Sequence, residues 1–536
     1  MGKQKLKDNN NKTASNVKTT LEAVPKQGPR LTIPVLPLFF ILVWLWAWLY
    51  YGCVFHVARE YSYWSADSRV LQFFLSCGNP GIRWLGRLVL QLYKYPWLGG
   101  LSVAFILTAG SWLVGYALRL PARVRFLRFL PALAYIAVVS YQGINMFFEA
   151  ETGYILGVPC VILAALAVLA AAVRVFSHSP FLPTFLPPRG EDVRYSLCEL
   201  AFCLVLMGGV LSFNESQRPY SRTITRLMYL SETQQWRKMQ EVARDNAVQS
   251  NRPMACFYAM SLVHTGEIAQ RMYDIRLDYD SLYLFGMDGY HNNASAMYVP
   301  EGSLHAGFVQ TCMHNCMENM VMTGPTVRLL KLLVKCSLLK GEWLLAEKYL
   351  RLLSDVPFEG DFISKYGAMV RQPALVEADP EFARIRLTEP IHDSFENMYQ
   401  QPVFMGYNLA LTEGRSMEAL TNSLCVCLYT KLMPMFIERL APIVGTTPSD
   451  IIADGVLLSS TKQPGIEGKF VGLQYRTSKI QAFMQAVQPY MSDRAGHAYE
   501  LFDKYKGYYP YYYFFGNLKA TKKGLTGPAT SNSGVN

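Results

Sequence analysis

The chain has 536 residues, of which 51% are hydrophobic and 17% charged, and its formal net charge is +11. The excess lies in one part of the chain, because residues 1–213 contain 19 Lys and Arg against 9 Asp and Glu, whereas residues 214–536 contain 32 against 31. Positive charge that surrounds apolar segments is typical of membrane topology, so the composition gives no reason to expect nucleic acid as a partner.

Five apolar segments in the first 213 residues are long enough, or nearly so, to cross a bilayer, whose hydrocarbon core of ~30 Å takes about 20 helical residues. The segments are Ile33–Phe55, Leu98–Leu118, Phe126–Phe148, Tyr154–Phe176 and Leu197–Phe213. The last is the shortest and contains Glu199, so a buried helix of a soluble protein is the alternative there. The sequence therefore predicts a transmembrane domain at 32–213, preceded by a disordered basic segment at 1–31.

Basic loops between these segments indicate their orientation. The N-terminal segment is rich in Lys, and the loop after the second apolar segment carries Arg119, Arg123, Arg125 and Arg128 without an acid. Short loops rich in Lys and Arg stay in the cytoplasm. We therefore expect a cytoplasmic N-terminus and, after five crossings, a C-terminal part on the outer side of the membrane.

The segment between the first two crossings is basic although it falls on the outer side. It contains two amphipathic stretches separated by the turn Gly78-Asn79-Pro80-Gly81. Arg and Lys side chains at such positions extend to lipid headgroups while their apolar neighbours lie in the interface. The sequence predicts an interfacial helical hairpin at about 67–96, and two additional crossings are the alternative.

The C-terminal part has apolar residues at spacings of three and four, which predicts helices throughout. Its clearest unit runs from Pro325 to Pro357, where two amphipathic helices flank Gly341. This helix–turn–helix resembles a tetratricopeptide repeat. Weaker pairs precede it at Arg222–Asn246 and Pro253–Tyr273. We therefore expect a soluble domain of helix pairs at 214–516, with general all-α packing as the alternative.

Several of these segments resemble a known family. The stretches that carry the resemblance are QWRKMQEVARDN, SLVHTGEIAQRMYD, LLKGEWLLAEKYLRLL, YKGYYPYYYFFGN and CGNPGIRWLGRLVLQLYKYPWLGG. They are similar to uncharacterised Bacteroidota multi-pass inner-membrane proteins with a C-terminal tetratricopeptide-like region. The resemblance implies an inner membrane with the C-terminal domain in the periplasm. It implies no catalytic residues.

Acidic residues on the outer side are the candidates for an enzyme. They are Asp67, Glu149 and Glu151, and paired carboxylates can bind a metal or act as a base. Two acidic residues in a short loop also occur as plain surface charge. An irregular insert at about 274–302 adds Asp278, Asp280 and the segment Asp288–Asn293. No hydrolase, metalloprotease, P-loop or dinucleotide motif is present in the sequence.

Cysteines and a cluster of aromatic residues complete the candidate features. Cys312 and Cys316 flank His314 in CMHNC, at a spacing that allows a metal or redox pair but is more typical of helix packing. The segment Tyr505–Phe515 is rich in Tyr and Phe. Capping of the last helix pair is its preferred interpretation, and membrane or carbohydrate contact are alternatives. The tail at 517–536 is predicted to be disordered.

Taken together, the sequence predicts an all-α protein with an N-terminal bundle of about five transmembrane helices and a soluble domain of helix pairs. Its predicted partners are the bilayer and another envelope protein, bound through the helical domain. The alternative function is a membrane-bound enzyme of envelope glycan or lipid synthesis that uses the outer carboxylates. No residue is assigned to catalysis, to a cofactor or to a metal. A polar cleft where the membrane helices meet the outer part would favour the enzyme, and a groove within the helix pairs would favour the partner.

Overall fold

The computed structural model describes residues 34–76, 78–148, 151–177, 193–218, 220–246, 251–277, 297–390, 393 and 416–518. Within these ranges the chain is helical and contains no strand. The predicted all-α class is therefore confirmed. The predicted tail at 1–31, most of the tail at 517–536, most of the acidic insert, Cys77 and Glu149 lie outside the described residues.

The N-terminal half contains the long apolar helices. Its helices are α1 (Val35–Leu45), a π-helical turn (Trp46–Tyr50), α2 (Gly52–Glu60), α3 (Ser68–Ser76), α4 (Pro80–Leu90), a 3-10 turn (Gln91–Lys94), α5 (Pro96–Ala117), a 3-10 segment (Ala122–Phe129), α6 (Leu130–Gln142), α7 (Asn145–Phe148), α8 (Thr152–Ser177) and α9 (Val193–Gln217). Among the described residues, four stretches are long and apolar enough to cross a membrane: Pro96–Ala117, Ala122–Gln142, Thr152–Val175 and Val193–Gln217. The pair formed by Val35–Tyr50 and Gly52–Glu60 is a fifth candidate if it counts as one bent span.

Two of the predicted segments differ from simple straight helices. The first bends by 61° between Val35–Tyr50 and Gly52–Glu60. At this bend α2 packs on the start of α5, since a Cβ on Gly52 would lie 3.2 Å from the Cβ of Pro96. The segment predicted at 126–148 is interrupted at Gly143, whose φ is +53°. The N–H of the next residue, Ile144, is satisfied by the hydroxyl of Ser221, 2.9 Å away.

Helices α3 and α4 form the predicted hairpin. At 1.5 Å per residue they are about 14 and 17 Å long, so neither can cross a hydrocarbon core of about 30 Å. Helix α4 lies directly on the start of α8, where a Cβ on Gly86 would overlap the carbonyl oxygen of Gly153. On α3, Phe73 and Leu75 are 58% and 64% exposed. These lengths favour the hairpin over two additional crossings, and its place in the interface stays a prediction.

Glu199 on α9 is buried and forms ion pairs with two arginines. Its side chain accepts Nε–H of Arg125 at 2.5 Å and Nη2–H of Arg128 at 2.8 Å, and the residue is 1% exposed. Near the other end of α9, Glu215 pairs with Arg222 at 2.8 Å. Because α9 is about 37 Å long, the basic loop before α6 and the start of the C-terminal region lie at opposite ends of it.

The C-terminal half is a set of shorter helices. They are α10 (Ser221–Glu232), α11 (Trp236–Asn246), α12 (Arg252–Thr265), α13 (Ile268–Arg271), α14 (Val299–His305), α15 (Val309–Thr323), α16 (Val327–Leu339), α17 (Trp343–Ser354), α18 (Gly360–Arg371), α19 (Ala374–Ala378), α20 (Pro380–Thr388), α21 (Met417–Thr430), α22 (Met433–Glu438), α23 (Asp450–Ser460), α24 (Gln474–Val487), α25 (Arg494–Tyr505) and α26 (Tyr509–Phe515). Short 3-10 turns follow α13, α22, α23 and α24.

The helix–turn–helix predicted between Pro325 and Pro357 is present as α16 and α17. Gly341 joins them with a φ of +73°, a value that a side chain disfavours. Ala346 is fully buried where the two helices pack. Whether this pair is a tetratricopeptide repeat stays a prediction.

The aromatic C-terminal segment forms α26 and packs inside the helical region. Tyr509 is 0% and Tyr512 4% exposed. The hydroxyl of Tyr512 donates to the carbonyl of Tyr429 on α21 at 2.8 Å, and the two rings stack with centroids 5.9 Å apart. This packing agrees with the capping interpretation.

Candidate functional site

A cavity of about 410 Å³ lies where the N-terminal helices meet the C-terminal region. The end of α2 and the turn before α5 form one wall, and helices α10, α12, α14, α16 and α18 form the others. We call it the junction chamber. Its lining consists of Val57, Glu60, Tyr61, Lys94, Met228, Ser231, Glu232, Thr233, Gln234, Phe257, Glu301, His305, Arg328, Lys331, Leu332, Lys335, Asp361, Phe362, Lys365 and Tyr366.

Three cations of α16 face the chamber. Arg328, Lys331 and Lys335 are spaced by three and four residues, which places them on one side of an otherwise apolar helix. Each is paired with an acid from another part of the chain. Arg328 pairs with Glu301, and Nζ of Lys335 lies 2.7 Å from Oε1 of Glu381. The chamber is therefore lined by charges that the surrounding helices already balance.

Lys331 is the centre of a larger group of charges. Its Nζ lies 2.8 Å from Oε2 of Glu60, 2.9 Å from Oε1 of Glu232 and 3.3 Å from Oε2 of Glu359. Its ammonium group donates hydrogen bonds to Glu60 and Glu232, whereas Glu359 lies within ion-pair distance without a hydrogen bond to it. These acids come from α2, from α10 and from the loop between α17 and α18. One lysine thus connects three separate elements.

Two further cations complete this group. Arg59, which is fully buried, pairs with Glu60 at 2.5 Å and also with Glu359. Nζ of Lys94 lies 3.2 Å from Glu359 and 3.6 Å from Glu232. We refer to Arg59, Glu60, Lys94, Glu232, Lys331 and Glu359 as the Lys331 network. Since α2 and Lys94 belong to the N-terminal half, the network connects the two halves of the chain.

Mutual pairing favours the charged forms of Lys331, which is buried, and of Glu232. Burial alone would lower the pKa of Lys331, but Glu232, Glu60 and Glu359 raise it above its ordinary value. Burial likewise raises the pKa of Glu232, yet Lys331 and His56 bring it well below the ordinary value. A buried pair of this kind is costly to break, because the remaining partner becomes an unpaired charge in a poorly solvated site.

His56 extends the network towards the backbone. Its Nδ1 lies 3.0 Å from the carbonyl oxygen of Tyr93 and its Nε2 2.7 Å from Oε2 of Glu232. The ring of His56 thus connects the backbone at Tyr93 to Glu232.

His56, Glu60 and Glu232 are also the group in the described residues whose ligand atoms are close enough to hold a metal, within 4.8 Å of one another. The ammonium of Lys331 already lies against both carboxylates. A metal ion would have to displace it, and we assign none.

His305 lines the chamber and belongs to a cluster with His264 and Trp236. Nε2 of His264 lies 2.9 Å from Nδ1 of His305, and Trp236 stacks on His264 with ring centroids 3.8 Å apart. Burial lowers the pKa of His264 to about 2, with a further contribution from His305. Burial also lowers the pKa of His305 to about 3. Both rings are therefore neutral at physiological pH, and one donates the hydrogen bond that the other accepts.

The acids singled out in the sequence lie elsewhere. Asp67 is paired with Arg69, whose hydrogen bonds lower its pKa to about 2. Glu151 accepts Nε–H of Arg87 at 2.7 Å, next to α8. Neither lines the junction chamber, and Glu149 lies outside the described residues. The structure therefore does not bring these candidates into the chamber.

On helix α15, the two cysteines of the CMHNC motif and the histidine between them have different surroundings. Cys312 and Cys316 are fully buried, with their Sγ atoms 4.0 Å apart. Burial raises the pKa of both thiols well above the ordinary value, so they are protonated. His314 instead pairs with Glu318 at 3.1 Å. The cysteines within the described residues are free thiols.

A sequence signal for the chamber exists in VRLLKLLVKC. Cations at spacings of three and four inside a run of Leu and Val are typical of an amphipathic helix with a charged face, and only the structure shows that this face is buried. Our sequence interpretation used only the Leu stripe of this helix and missed Arg328, Lys331 and Lys335. No local signal identifies the partners of Lys331, because Glu60, Glu232 and Glu359 lie far apart in the sequence.

Comparison with known proteins adds one finding. Residues 193–516 match the model of a family of unknown function, DUF6057. The chain belongs to this family. No curated protein and no solved structure matches it. The DUF6057 region begins at α9 and supplies α10, α12, α14, α16 and α18 to the chamber, whereas Val57, Glu60, Tyr61 and Lys94 come from the part before it. The chamber is therefore built from the family region and the preceding helices together.

Proposed function

We propose that this protein is a multi-pass membrane protein that binds a small polar ligand in the junction chamber. The observation that carries the proposal is the chamber itself, because about 410 Å³ falls in the range of small-molecule sites, roughly 300–1,000 Å³. The chamber also holds buried ionised groups that close packing alone does not require. Perturbed charges in a cavity are typical of functional sites.

The balance of charge restricts the class of ligand. Five cations and four acids line the chamber: Lys94, Arg328, Lys331, Lys335 and Lys365 against Glu60, Glu232, Glu301 and Asp361. A strongly anionic or cationic ligand would gain little from this near-neutral lining. A ligand with many hydroxyls, or a zwitterion, can both donate to the acids and accept from the lysines. The rings of Phe257, Phe362 and Tyr366 offer apolar faces for its less polar side.

The membrane setting is part of the proposal. We place the N-terminus in the cytoplasm and the C-terminal region in the periplasm of an inner membrane. The basic loops of the sequence support this orientation. Arg125 and Arg128 pair with Glu199 near one end of α9 and Arg222 pairs with Glu215 near the other, so the basic loop and the C-terminal region lie at opposite ends of this helix. With that orientation the chamber lies at the periplasmic surface of the inner membrane, where it could bind a glycan or lipid precursor.

Native mass spectrometry of the full chain, purified from its own membranes in mild detergent, tests the ligand. Thr233 lines the chamber but has an exposed side chain, so Thr233→Trp fills space without breaking an ion pair. Ser478→Trp, on the exposed side of α24, is the matched control. We expect the wild type and the Ser478→Trp control to carry a bound ligand as a mass adduct. We expect Thr233→Trp to lack this adduct. No adduct on any form, or an equal adduct on all three, would contradict the proposal.

A protein partner for the helical region is the second candidate. Val321, Met322 and Leu344 are more than four-fifths exposed, which is unusual for large apolar side chains. A tetratricopeptide-like module would present such residues to another envelope protein. Crosslinking in native membranes followed by a pull-down tests this candidate. We expect one stoichiometric partner that Met322→Asp releases and that Thr233→Trp retains; if Met322→Asp keeps the partner, these residues are not the contact.

A further inference from the structure

A second, smaller cavity of about 140 Å³ lies beside the junction chamber. The two cavities share Arg328 and Tyr61, which therefore form the wall between them. On its far side the small cavity is bounded by Arg87 of α4 and by Thr152, the first residue of α8. The cavity is thus located where the hairpin and a candidate membrane-spanning helix meet the C-terminal region.

Thr152 has an unused hydroxyl in this cavity. The residue is 5% exposed, and its Oγ1 has no hydrogen-bond partner among the described residues. A buried hydroxyl without a partner costs free energy that a ligand atom could recover. Its position at the start of α8 adds the favourable end of a 26-residue helix dipole for an anion.

The guanidinium of Arg87 is held in place by hydrogen bonds that use only some of its N–H groups. Its Nε and Nη2 donate to Oε1 of Glu151 at 2.7 and 2.5 Å, and Nη1 donates to the carbonyl of Tyr63 at 3.2 Å. A guanidinium has five N–H groups, so two remain. The guanidinium also lies over the ring of Phe74, 5.1 Å from its centroid. Anchored in this way, it needs little reorganisation to bind an oxyanion.

A third donor comes from the start of α16. The hydroxyl oxygen of Thr326 accepts the N–H of Leu329 at 3.2 Å, which leaves its hydrogen free to donate. Thr326 lines the same cavity as Thr152 and Arg87. The donors therefore converge from three helices.

The local charge is positive although one acid is present. Glu151 lines the cavity and is paired with Arg87, while a second arginine, Arg83, lies 4.0 Å from it. Arg328 is paired with Glu301. Three arginines against two acids leave one positive charge around a cavity of about 140 Å³.

We propose that this small cavity binds a phosphate group, contributed either by the headgroup of an anionic lipid or by free phosphate. Arg87, Thr152 and Thr326 donate to its oxygens. The site does not depend on the identity of the ligand in the junction chamber.

The test uses the full chain in two settings. In detergent it is titrated with inorganic phosphate, and in nanodiscs of phosphatidylcholine it is titrated with phosphatidylglycerol, with bound lipid counted by native mass spectrometry. Binding in the first setting identifies free phosphate as the source, and binding only in the second identifies a lipid headgroup. Either result supports the site if the substitutions below weaken it. Absence of binding in both settings overturns the proposal.

Thr152→Val removes the hydroxyl at nearly constant shape and leaves no new unpaired group. We expect it to weaken binding about tenfold, the effect of one hydrogen bond to a charged group. Thr108→Val is the matched control, since Thr108 on α5 is 6% exposed and its hydroxyl also has no partner among the described residues. If both variants bind like the wild type, or both lose binding equally, the site is not at Thr152.

Arg87→Lys provides an independent variant. Lysine keeps the positive charge beside Glu151 but lacks the two spare N–H groups of the guanidinium. We expect the same loss of phosphate binding with the adduct in the junction chamber unchanged. Unchanged phosphate binding in Arg87→Lys would overturn the proposal even if Thr152→Val failed to fold.

Discussion

Two groups of buried charge lie at opposite ends of the apolar helices, and they differ in what surrounds them. Glu199 is enclosed by Arg125 and Arg128, both of its oxygens are used, and the three side chains form a closed cluster. The Lys331 network is larger and is open to a cavity of about 410 Å³. The comparison shows that buried charge alone does not indicate a site. Buried charge beside unfilled space does.

The two clusters also connect different parts of the chain. The Glu199 cluster joins the start of α9 to a loop only 71 to 74 residues earlier. The Lys331 network joins residues 300 positions apart, such as Arg59 and Glu359. The first cluster therefore fixes a helix within the membrane bundle. The second joins the C-terminal region to α2 through ion pairs between distant parts of the chain.

Lys331→Met should have the largest effect. The substitution leaves Glu60, Glu232 and Glu359 without their shared ammonium, and we expect the free energy of unfolding to fall by about 3–5 kcal/mol. Thermal and denaturant unfolding in detergent measures it. Lys348→Met, an exposed lysine of the neighbouring helix α17, is the control and should change little. A loss of under about 1 kcal/mol for Lys331→Met would mean that the network does not hold the halves together.

Glu199→Gln should have a smaller effect. It leaves Arg125 and Arg128 without an acid, but both are 12–15% exposed in their side chains and can regain water. We expect a loss of about 2 kcal/mol in the free energy of unfolding and no change in the adduct of the junction chamber. Loss of that adduct in Glu199→Gln would contradict the distinction between a closed cluster and an open one.

The histidine pair should make stability fall in weak acid. The pKa values of His264 and His305 lie at about 2 and about 3 in the folded chain, below their ordinary 6.5. As the pH falls below 6.5, these histidines bind protons in the unfolded chain but not in the folded chain. Protonation therefore stabilises the unfolded state, and the free energy of unfolding decreases. At pH 5.5 each histidine should cost about 1.4 kcal/mol of stability.

Unfolding at pH 7.5 and at pH 5.5 measures this dependence. His264→Gln should remove about half of the difference between the two pH values, since only His305 then contributes. His497→Gln, which changes an exposed histidine, should leave the difference intact. An equal pH dependence in all three proteins would show that the buried pair is not its source.

Asp67→Asn should have the smallest effect. Asp67 and Arg69 form an exposed pair outside the chamber, and such pairs contribute little. We expect the melting temperature, the chamber adduct and phosphate binding to be unchanged. If Asp67→Asn lost either ligand, the outer acids would again be candidates for the functional site.

Much of the fold follows from local sequence. Runs such as Leu98–Leu118 and Tyr154–Phe176 are mostly apolar, and helices form at both. The turn at Gly341 is equally local, because a positive φ between two amphipathic stretches favours Gly. The bend after Tyr50 has no such signal. It depends on the packing of Gly52 against Pro96, which is 44 residues away.

The site was harder to predict for the same reason. The stripe of Arg328, Lys331 and Lys335 can be read in the sequence, where it has the spacing of an amphipathic helix. Which acids approach it depends on how α2, α10 and the loop before α18 pack, and this is tertiary information. Glu151 is the opposite case, a residue that the sequence interpretation selected because it lies in an acidic loop. In the structure it is paired with Arg87 of the hairpin.

Cryo-electron microscopy of the full chain, purified from its native membranes into nanodiscs, tests the central claim most directly. The account predicts density of small-molecule size in the junction chamber, in contact with the Lys331 network or with Phe362. A chamber of the same shape that contains only water, or one filled by the rings of Phe362 and Tyr366, would contradict it.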